Sequence, residues 1–293
     1  MRKAFVEVVE EVMDSDENLV LLLGDIGVHG FRKSFEKHPA RTINIGILEQ
    51  SMVSVAAGLA KEGMIPVLHT IAPFMVERAL EQIKVDFAYQ KMRGNLVSVG
   101  ASFDYAALGS THHCPGDVGI LINVPNVQII TPGTAKEFKD LFLQAYKNSE
   151  VTYFRLSESQ NSISQKVGIG KGVCIQEGHR ATVISIGPTL DIVQEACVGQ
   201  DVEILYLTSI RPLDINLIRA KCKSGKILLV EPYYSGAILP DLVAALTGRS
   251  IRFELIGVPH EFLREYGSPH EHAESIGLTP NNIRERLEKL IHD

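Results

Sequence analysis

The sequence predicts an α/β fold made of two successive layered units. Three observations lead there. Strand-like apolar runs alternate with helical stretches up to Ser157. The composition then shifts to Ser, Gln and Gly between Ser157 and Gly172. A second series of strand and helix signals follows. Alternation of this kind builds mostly parallel sheets covered on both faces. Two three-layer α/β/α domains are therefore expected, at 1–157 and 173–293, with 158–172 as linker.

In the first unit, Phe5, Val8, Val9, Val12 and Met13 recur at helical spacing. Asn18 to Leu23 is a continuous apolar run, the pattern of a buried strand, and Gly24-Asp25-Ile26-Gly27 is its turn. A short helix is expected over Phe31–Lys37 and a strand over Thr42–Ile47. Gly46 ends that run, and small residues (Ser54, Ala56, Ala57, Gly58, Ala60) continue as a helix towards Gly63. Met64–Thr70 is the next strand. Pro73 suits the first turn of a long helix from Phe74 to about Lys91, with Leu80, Ile83 and Phe87 on one face. Strands are expected over Leu96–Gly100, Val127–Ile130 and Thr152–Leu156, with a long polar loop over Ala101–Asp117. Thr134 and Glu137 have capping-box spacing ahead of Phe138, Leu141 and Phe142. The second unit has strands over Ala181–Ile186, Glu203–Leu207, Lys226–Glu231 and Ile251–Ile256. Helices are expected near Leu190–Ala196, Ile215–Lys221, Ile238–Leu246 and Asn282–Leu290.

The 293 residues suffice for two domains with real cores, since 45% are hydrophobic. A net charge of -6 gives no electrostatic reason to expect nucleic acid or an anionic membrane as partner. The four cysteines are scattered without a C-x-x-C pair, which favours free thiols in a reducing compartment. The N-terminal stretch reads as an amphipathic helix and not a secretory signal, and no apolar run has bilayer length. A cytoplasmic protein is expected.

Several motif readings fail. Gly168-Ile169-Gly170-Lys171-Gly172 lacks the phosphate-loop spacing. His112-His113-Cys114 offers adjacent ligands on one loop, where structural zinc needs four from spaced pairs, so no metal site is expected. Arg264 stands where H-E-x-x-H needs its second histidine after His260, and His270 and His272 are expected on a solvated surface. No G-x-S-x-G elbow is present. Two features remain. Glu49 sits in a first helical turn at the carboxyl end of a strand, where open α/β sheets place ligands. Asp104, Thr111, His112, His113 and Asp117 share a long loop at another strand end, and such loops tend to be functional.

Separate stretches, in order, resemble one family: the transketolases and their thiamin-diphosphate relatives. Asn44-Ile45-Gly46-Ile47-Leu48-Glu49-Gln50-Ser51-Met52 resembles the glutamate segment of the pyrimidine-binding domain. Thr70-Ile71-Ala72-Pro73-Phe74 is similar to its aromatic segment, with Ile71 where a second aromatic is common. Thr111-His112 resembles its T-H loop, and Tyr153-Phe154-Arg155-Leu156-Ser157 its substrate-arginine strand. Tyr266-Gly267 and Ile276-Gly277-Leu278-Thr279-Pro280-Asn281-Asn282-Ile283 are similar to the end of the C-terminal domain. The diphosphate-binding domain, with its G-D-G motif, has no counterpart; Gly24-Asp25-Ile26-Gly27 is not that motif.

The resemblance implies the C-terminal subunit of a split transketolase: a thiamin-diphosphate pyrimidine-binding domain followed by a transketolase C-terminal domain. It implies thiamin diphosphate as cofactor, with Mg²⁺ (or Ca²⁺) held mainly by an N-terminal partner subunit. Self-association to a dimer, and a heterotetramer with that partner, are expected. It makes Glu49 the proton-relaying acid and Phe74 the ring that stacks on the cofactor, with Ile47 and Asp25 as further cofactor contacts. It gives His112, with His113 and Asp104, to sugar hydroxyls, and Arg155 to a sugar phosphate. The expected reaction moves a two-carbon ketol unit from a ketose phosphate to an aldose. A 2-oxo-acid dehydrogenase β-type subunit, a deoxyxylulose-phosphate-synthase-like enzyme and a non-catalytic scaffold are the alternatives.

Overall fold

Five consecutive aliphatic residues, Leu19–Leu23, form the first strand (β1), and all five are buried. A strand covered on both faces needs an apolar side chain at every position, and this run supplies it. The computed structural model describes residues 1–292. The first sheet contains β1, Thr42–Asn44 (β2), Ile65–Ile71 (β3), Gly94–Val99 (β4), Val127–Ile130 (β5) and Val151–Arg155 (β6). These strands are parallel, in the order β5-β6-β4-β3-β1-β2.

The second sheet contains Val173–Gln176 (β7), Thr182–Ile186 (β8), Glu203–Leu207 (β9), Lys226–Tyr234 (β11) and Arg252–Val258 (β12), in the order β12-β11-β8-β9-β7. Ser209–Arg211 (β10) leaves this unit and pairs antiparallel with β5, making a seventh strand at the edge of the first sheet. Residues 158–172, between β6 and β7, form neither helix nor strand. Asn161 pins this segment: its Nδ2 donates to Gly187 O at 3.0 Å, and its Oδ1 accepts from Leu190 N at 3.1 Å.

Helices Arg2–Ser15 (α1), Arg32–Lys37 (α2), Glu49–Lys61 (α3), Ala72–Val76 (α4), Leu80–Gln82 (α5), Asp117–Leu121 (α6) and Ala135–Ala145 (α7) belong to the first unit. Leu190–Ala196 (α8), Ile215–Lys221 (α9), Leu239–Ala245 (α10), Pro269–Ser275 (α11) and Pro280–His292 (α12) belong to the second. A continuous apolar core runs from Leu22 and Met52 in the first unit to Leu229 and Leu242 in the second. No helix of the described residues is long and apolar enough to cross a membrane.

The structure corrects four sequence expectations. The helix expected over Phe74–Lys91 breaks after α4, and Ile83–Tyr89 winds as a π-helix. The wider turn seats Phe87 against Gly94, where any Cβ would stand 2.5 Å from its ring. The strand expected to Ile47 stops at Asn44, because the Asn44 side chain bonds Asp25 N and Gly46 N, and Gly46 takes a φ of 80°. The loop Ala101–Asp117 contains a 3₁₀ turn at Ala106–Thr111 and ends in α6. Strands β7 and β10 and helix α11 also went unpredicted, being short and without clear periodicity.

Candidate active site

Glu49 is the first residue of α3 and is completely buried beside the carboxyl ends of β1 and β3. A buried carboxylate is costly unless paired. Here Thr70 Oγ1 donates to Oε1 at 3.0 Å, and Arg78 Nη1 donates to Oε2 at 2.5 Å. Gly24, just past β1, makes room: a Cβ there would stand 3.0 Å from Thr70 Cβ and 3.5 Å from Glu49 Oε1. A carboxylate has about four acceptor positions, so each Glu49 oxygen keeps capacity for one more donor.

Phe74 lies in α4, whose second residue is Pro73, in the first turn, where a missing N–H leaves no helical hydrogen bond unmade. The Arg78 guanidinium stands 4.1 Å from the centre of the Phe74 ring. The His112 ring meets the same phenyl edge-on, at 5.4 Å and 69°. His112 Nδ1 lies 3.0 Å from Thr111 Oγ1. Glu49, Arg78, Phe74 and His112 thus form one chain of direct contacts. Ile47 and Leu48, next to Glu49, expose 66% and 56% of their surface. Asp25, with a φ of 66°, is exposed and shares two hydrogen bonds with Asn44, both at 3.1 Å. That clip holds the turn after β1 to the turn before α3.

Arg78 was missed from the sequence, although its signal was available. It falls four residues after Phe74, which puts a cation on the same side of a helical turn. Thr70 carries no sequence signal of its own beyond its place in the aromatic segment.

The other expected substrate residues lie elsewhere. Asp104 is buried and accepts from Ser157 Oγ at 3.0 Å and Glu158 N at 2.9 Å. Burial pushes its carboxyl up to about 6. Arg155 is buried too: its Nε donates to Asp117 Oδ2 at 2.8 Å and its Nη2 to Ser102 Oγ at 2.6 Å. Ser102 Oγ donates in turn to Pro232 O of the second unit. Asp104, expected to read sugar hydroxyls, and Arg155, expected to grip a sugar phosphate, are thus not in the direct contact chain of Glu49, Arg78, Phe74 and His112. Both side chains are engaged at the seam between the units, around a cavity of about 480 Å³ also lined by Ser157, Thr189 and Pro232.

His113 is buried with its ring edge-on to His272 at 5.4 Å, and Nε2 of each ring has no partner. Burial, then the neighbouring His272 and His112, lower the His113 pKa. His272 is therefore not on a solvated surface. Ser268 and Glu271 cap α11 and turn it inward onto Phe103, 5.6 Å away. His270 on the same helix is exposed, as expected.

Among the described residues, one group of three side chains has metal-ligand proximity: Cys174, Glu177 and Glu203. Lys221 Nζ stands 2.5 Å from Glu177 Oε1 and 3.3 Å from Glu203 Oε1, so a fixed cation already serves those acids.

Comparison with known proteins places this architecture. The family model for the transketolase pyrimidine binding domain matches residues 1–162, and that for the transketolase C-terminal domain matches residues 170–283. A protein of Rhodococcoides fascians, described as an uncharacterized 33.6 kDa protein in fasciation locus, is 36% identical over 295 residues, covering 99% of this chain and 95% of that one. A protein of Phocaeicola vulgatus, described as one subunit of an apulose-4-phosphate transketolase, is 29% identical over 299 residues, covering 96% of this chain and 94% of that one. A solved structure described as a split gene transketolase, inactive beta4 tetramer, superposes with a TM-score of 0.85 at 22% identity, covering 99% of this chain and 97% of that one, a likeness of fold. With both domain models matched in order along its length, the chain belongs to the transketolase family, whose members depend on thiamin diphosphate.

Proposed function

We propose that this chain supplies the aminopyrimidine side of a thiamin-diphosphate site and acts as the C-terminal subunit of a two-chain transketolase. The observation that carries the reading is the buried Glu49 carboxylate, with spare acceptor capacity, linked through one guanidinium to the flat ring of Phe74. These residues fit the ring end of thiamin diphosphate: a carboxylate for a ring nitrogen and a plate for its face. The one metal-like group among the described residues is in the second unit and is bridged by Lys221. The diphosphate and its Mg²⁺ (or Ca²⁺) are accordingly assigned to an N-terminal partner subunit.

When bound, thiamin diphosphate supplies a nucleophilic carbon that breaks and makes carbon–carbon bonds beside a carbonyl. Glu49 holds a shared proton at a carboxylate oxygen. Phe74 orients the ring by apolar contact without competing for its polar edge. His112, beside Phe74, offers a ring nitrogen to a sugar hydroxyl or carbonyl oxygen. Burial of Glu49 keeps water from that proton. The substrates assigned are a ketose phosphate donor and an aldose acceptor.

The exposed apolar residues Ile47, Leu48, Val55, Val85 and Tyr89 support a subunit interface beside Glu49. Cofactor sites commonly lie at such junctions. The proposed assembly has two copies of this chain and two of the partner. The test is co-expression with an N-terminal transketolase subunit, followed by assay of ketol transfer with thiamin diphosphate and Mg²⁺. Transfer by the pair that disappears in Glu49→Ala supports the reading. Full activity of Glu49→Ala, or pyruvate turnover without ketose-phosphate turnover, overturns it.

A further inference from the structure

We infer that Arg78 is a positioning residue, holding the Glu49 carboxylate and the Phe74 ring in one fixed relation. The inference rests on the roles of Glu49 and Phe74 proposed above. One planar cation touches both groups: Nη1 bonds Glu49 Oε2 at 2.5 Å, and the guanidinium carbon stands 4.1 Å from the Phe74 centroid. Thr70 holds the other carboxylate oxygen at 3.0 Å. With both oxygens held, the carboxylate cannot rotate, and its spare acceptor positions keep one orientation. A guanidinium is rigid and presents edge and face at once, so it orders an acid and a ring together. The Arg78 backbone is held as well, its N–H bonding Pro73 O at 3.1 Å.

The competing account is plain charge compensation: any cation would satisfy a buried acid. The geometry separates the two, because a lysine keeps the charge but has no flat face and no fork. Arg78 also retains 34% side-chain exposure while Glu49 retains 1%. Arg78 reaches the buried acid from the solvent side by crossing that ring.

The experiment uses the chain assembled with its N-terminal subunit. Thiamin diphosphate affinity is measured by calorimetry with Mg²⁺ present, and kcat and donor KM are measured separately. Arg78→Met is expected to weaken thiamin diphosphate about tenfold, near 1.4 kcal/mol. It is expected to lower kcat by about tenfold or more with donor KM nearly unchanged. Arg78→Lys is expected to melt close to wild type yet keep most of the kcat loss. In a Glu49→Gln background, Arg78→Met is expected to add little further loss of affinity, because Arg78 acts through Glu49. Wild-type affinity and kcat in Arg78→Lys overturn positioning in favour of charge compensation. Fully additive losses in the double variant overturn it as well. If the wild-type complex binds no thiamin diphosphate, the proposed function falls and takes this inference with it. If the wild type binds and Arg78→Met binds equally tightly, this inference alone falls.

Discussion

Asp117 and Arg155 form an ion pair with both side chains almost wholly out of water, Nε to Oδ2 at 2.8 Å. Tyr153 OH donates to the same Oδ2 at 2.8 Å. Through Ser102 the pair reaches the Pro232 carbonyl, so it fastens the two units. Removing one member of a buried pair costs about 3–5 kcal/mol, because the other is left charged and alone. Arg155→Met is expected to lower stability by about that amount in urea unfolding, and Asp117→Asn/Arg155→Met by less. A wild-type unfolding midpoint in Arg155→Met would sink the seam role.

Glu49→Gln keeps shape and removes proton sharing. General acid–base roles are worth about 10²–10⁴ in rate, so kcat of the assembled enzyme is expected to fall within that range. The check is steady-state ketol transfer at saturating thiamin diphosphate. A loss below about threefold would not fit the role.

His112→Asn is expected to raise donor KM or lower kcat about tenfold to a hundredfold, with thiamin diphosphate affinity little changed. The nitrogen lost is the one offered to substrate oxygen. His113→Asn is expected to change kinetics less than His112→Asn does, since the His113 ring is buried edge-on against His272.

Gly24→Ala puts a methyl 3.0 Å from Thr70 Cβ, closer than side chains pack. Thr70 has to give way, and its hydrogen bond to Glu49 is loosened. About 1–3 kcal/mol of stability is expected to go with this overpacking, together with part of kcat. A variant with intact melting temperature and intact kcat would refute the cradle.

Glu231 is buried and accepts backbone N–H groups from Gly236 and Ile238. Burial pushes its carboxyl up to about 7 from an ordinary 4.5. The folded chain therefore holds that proton more tightly than the unfolded chain does. The stabilisation is complete below pH 4.5 and is lost as pH rises to about 7. Wild type is expected to lose about 3 kcal/mol of stability relative to Glu231→Gln over that window, read by urea unfolding at several pH values. A pH-independent difference would contradict the assignment.

Much of the fold was legible because its signals are local. Leu19–Leu23 announced a buried strand, and Thr134 caps α7 by accepting from Glu137 N at 3.1 Å. The Glu137 carboxylate bonds Gly133 N and Tyr206 OH, beyond what a capping box foretells. Glu49, Phe74 and His112 were legible as motif residues, and the fold brings them into one contact chain. Asp104 and Arg155 carry motif signals of the same kind, and a motif does not say which neighbours hold a side chain. Their direction is set by Ser102, Ser157 and Asp117, partners 38 to 53 residues away in sequence. The π-turn and β10 depend on packing against distant segments and leave little mark in local periodicity.

Strand β10 bears on how this molecule can be re-engineered. Its three residues are encoded well after the junction, yet they complete the sheet that begins the chain. A fragment cut within 158–172 would carry β5 with its outer ladder bare, and naked ladders recruit other chains. Chimaeras between family members therefore have to keep Ser209–Arg211 and the β5 that receives it from the same parent, making a modular exchange at the apparent boundary a recipe for precipitation.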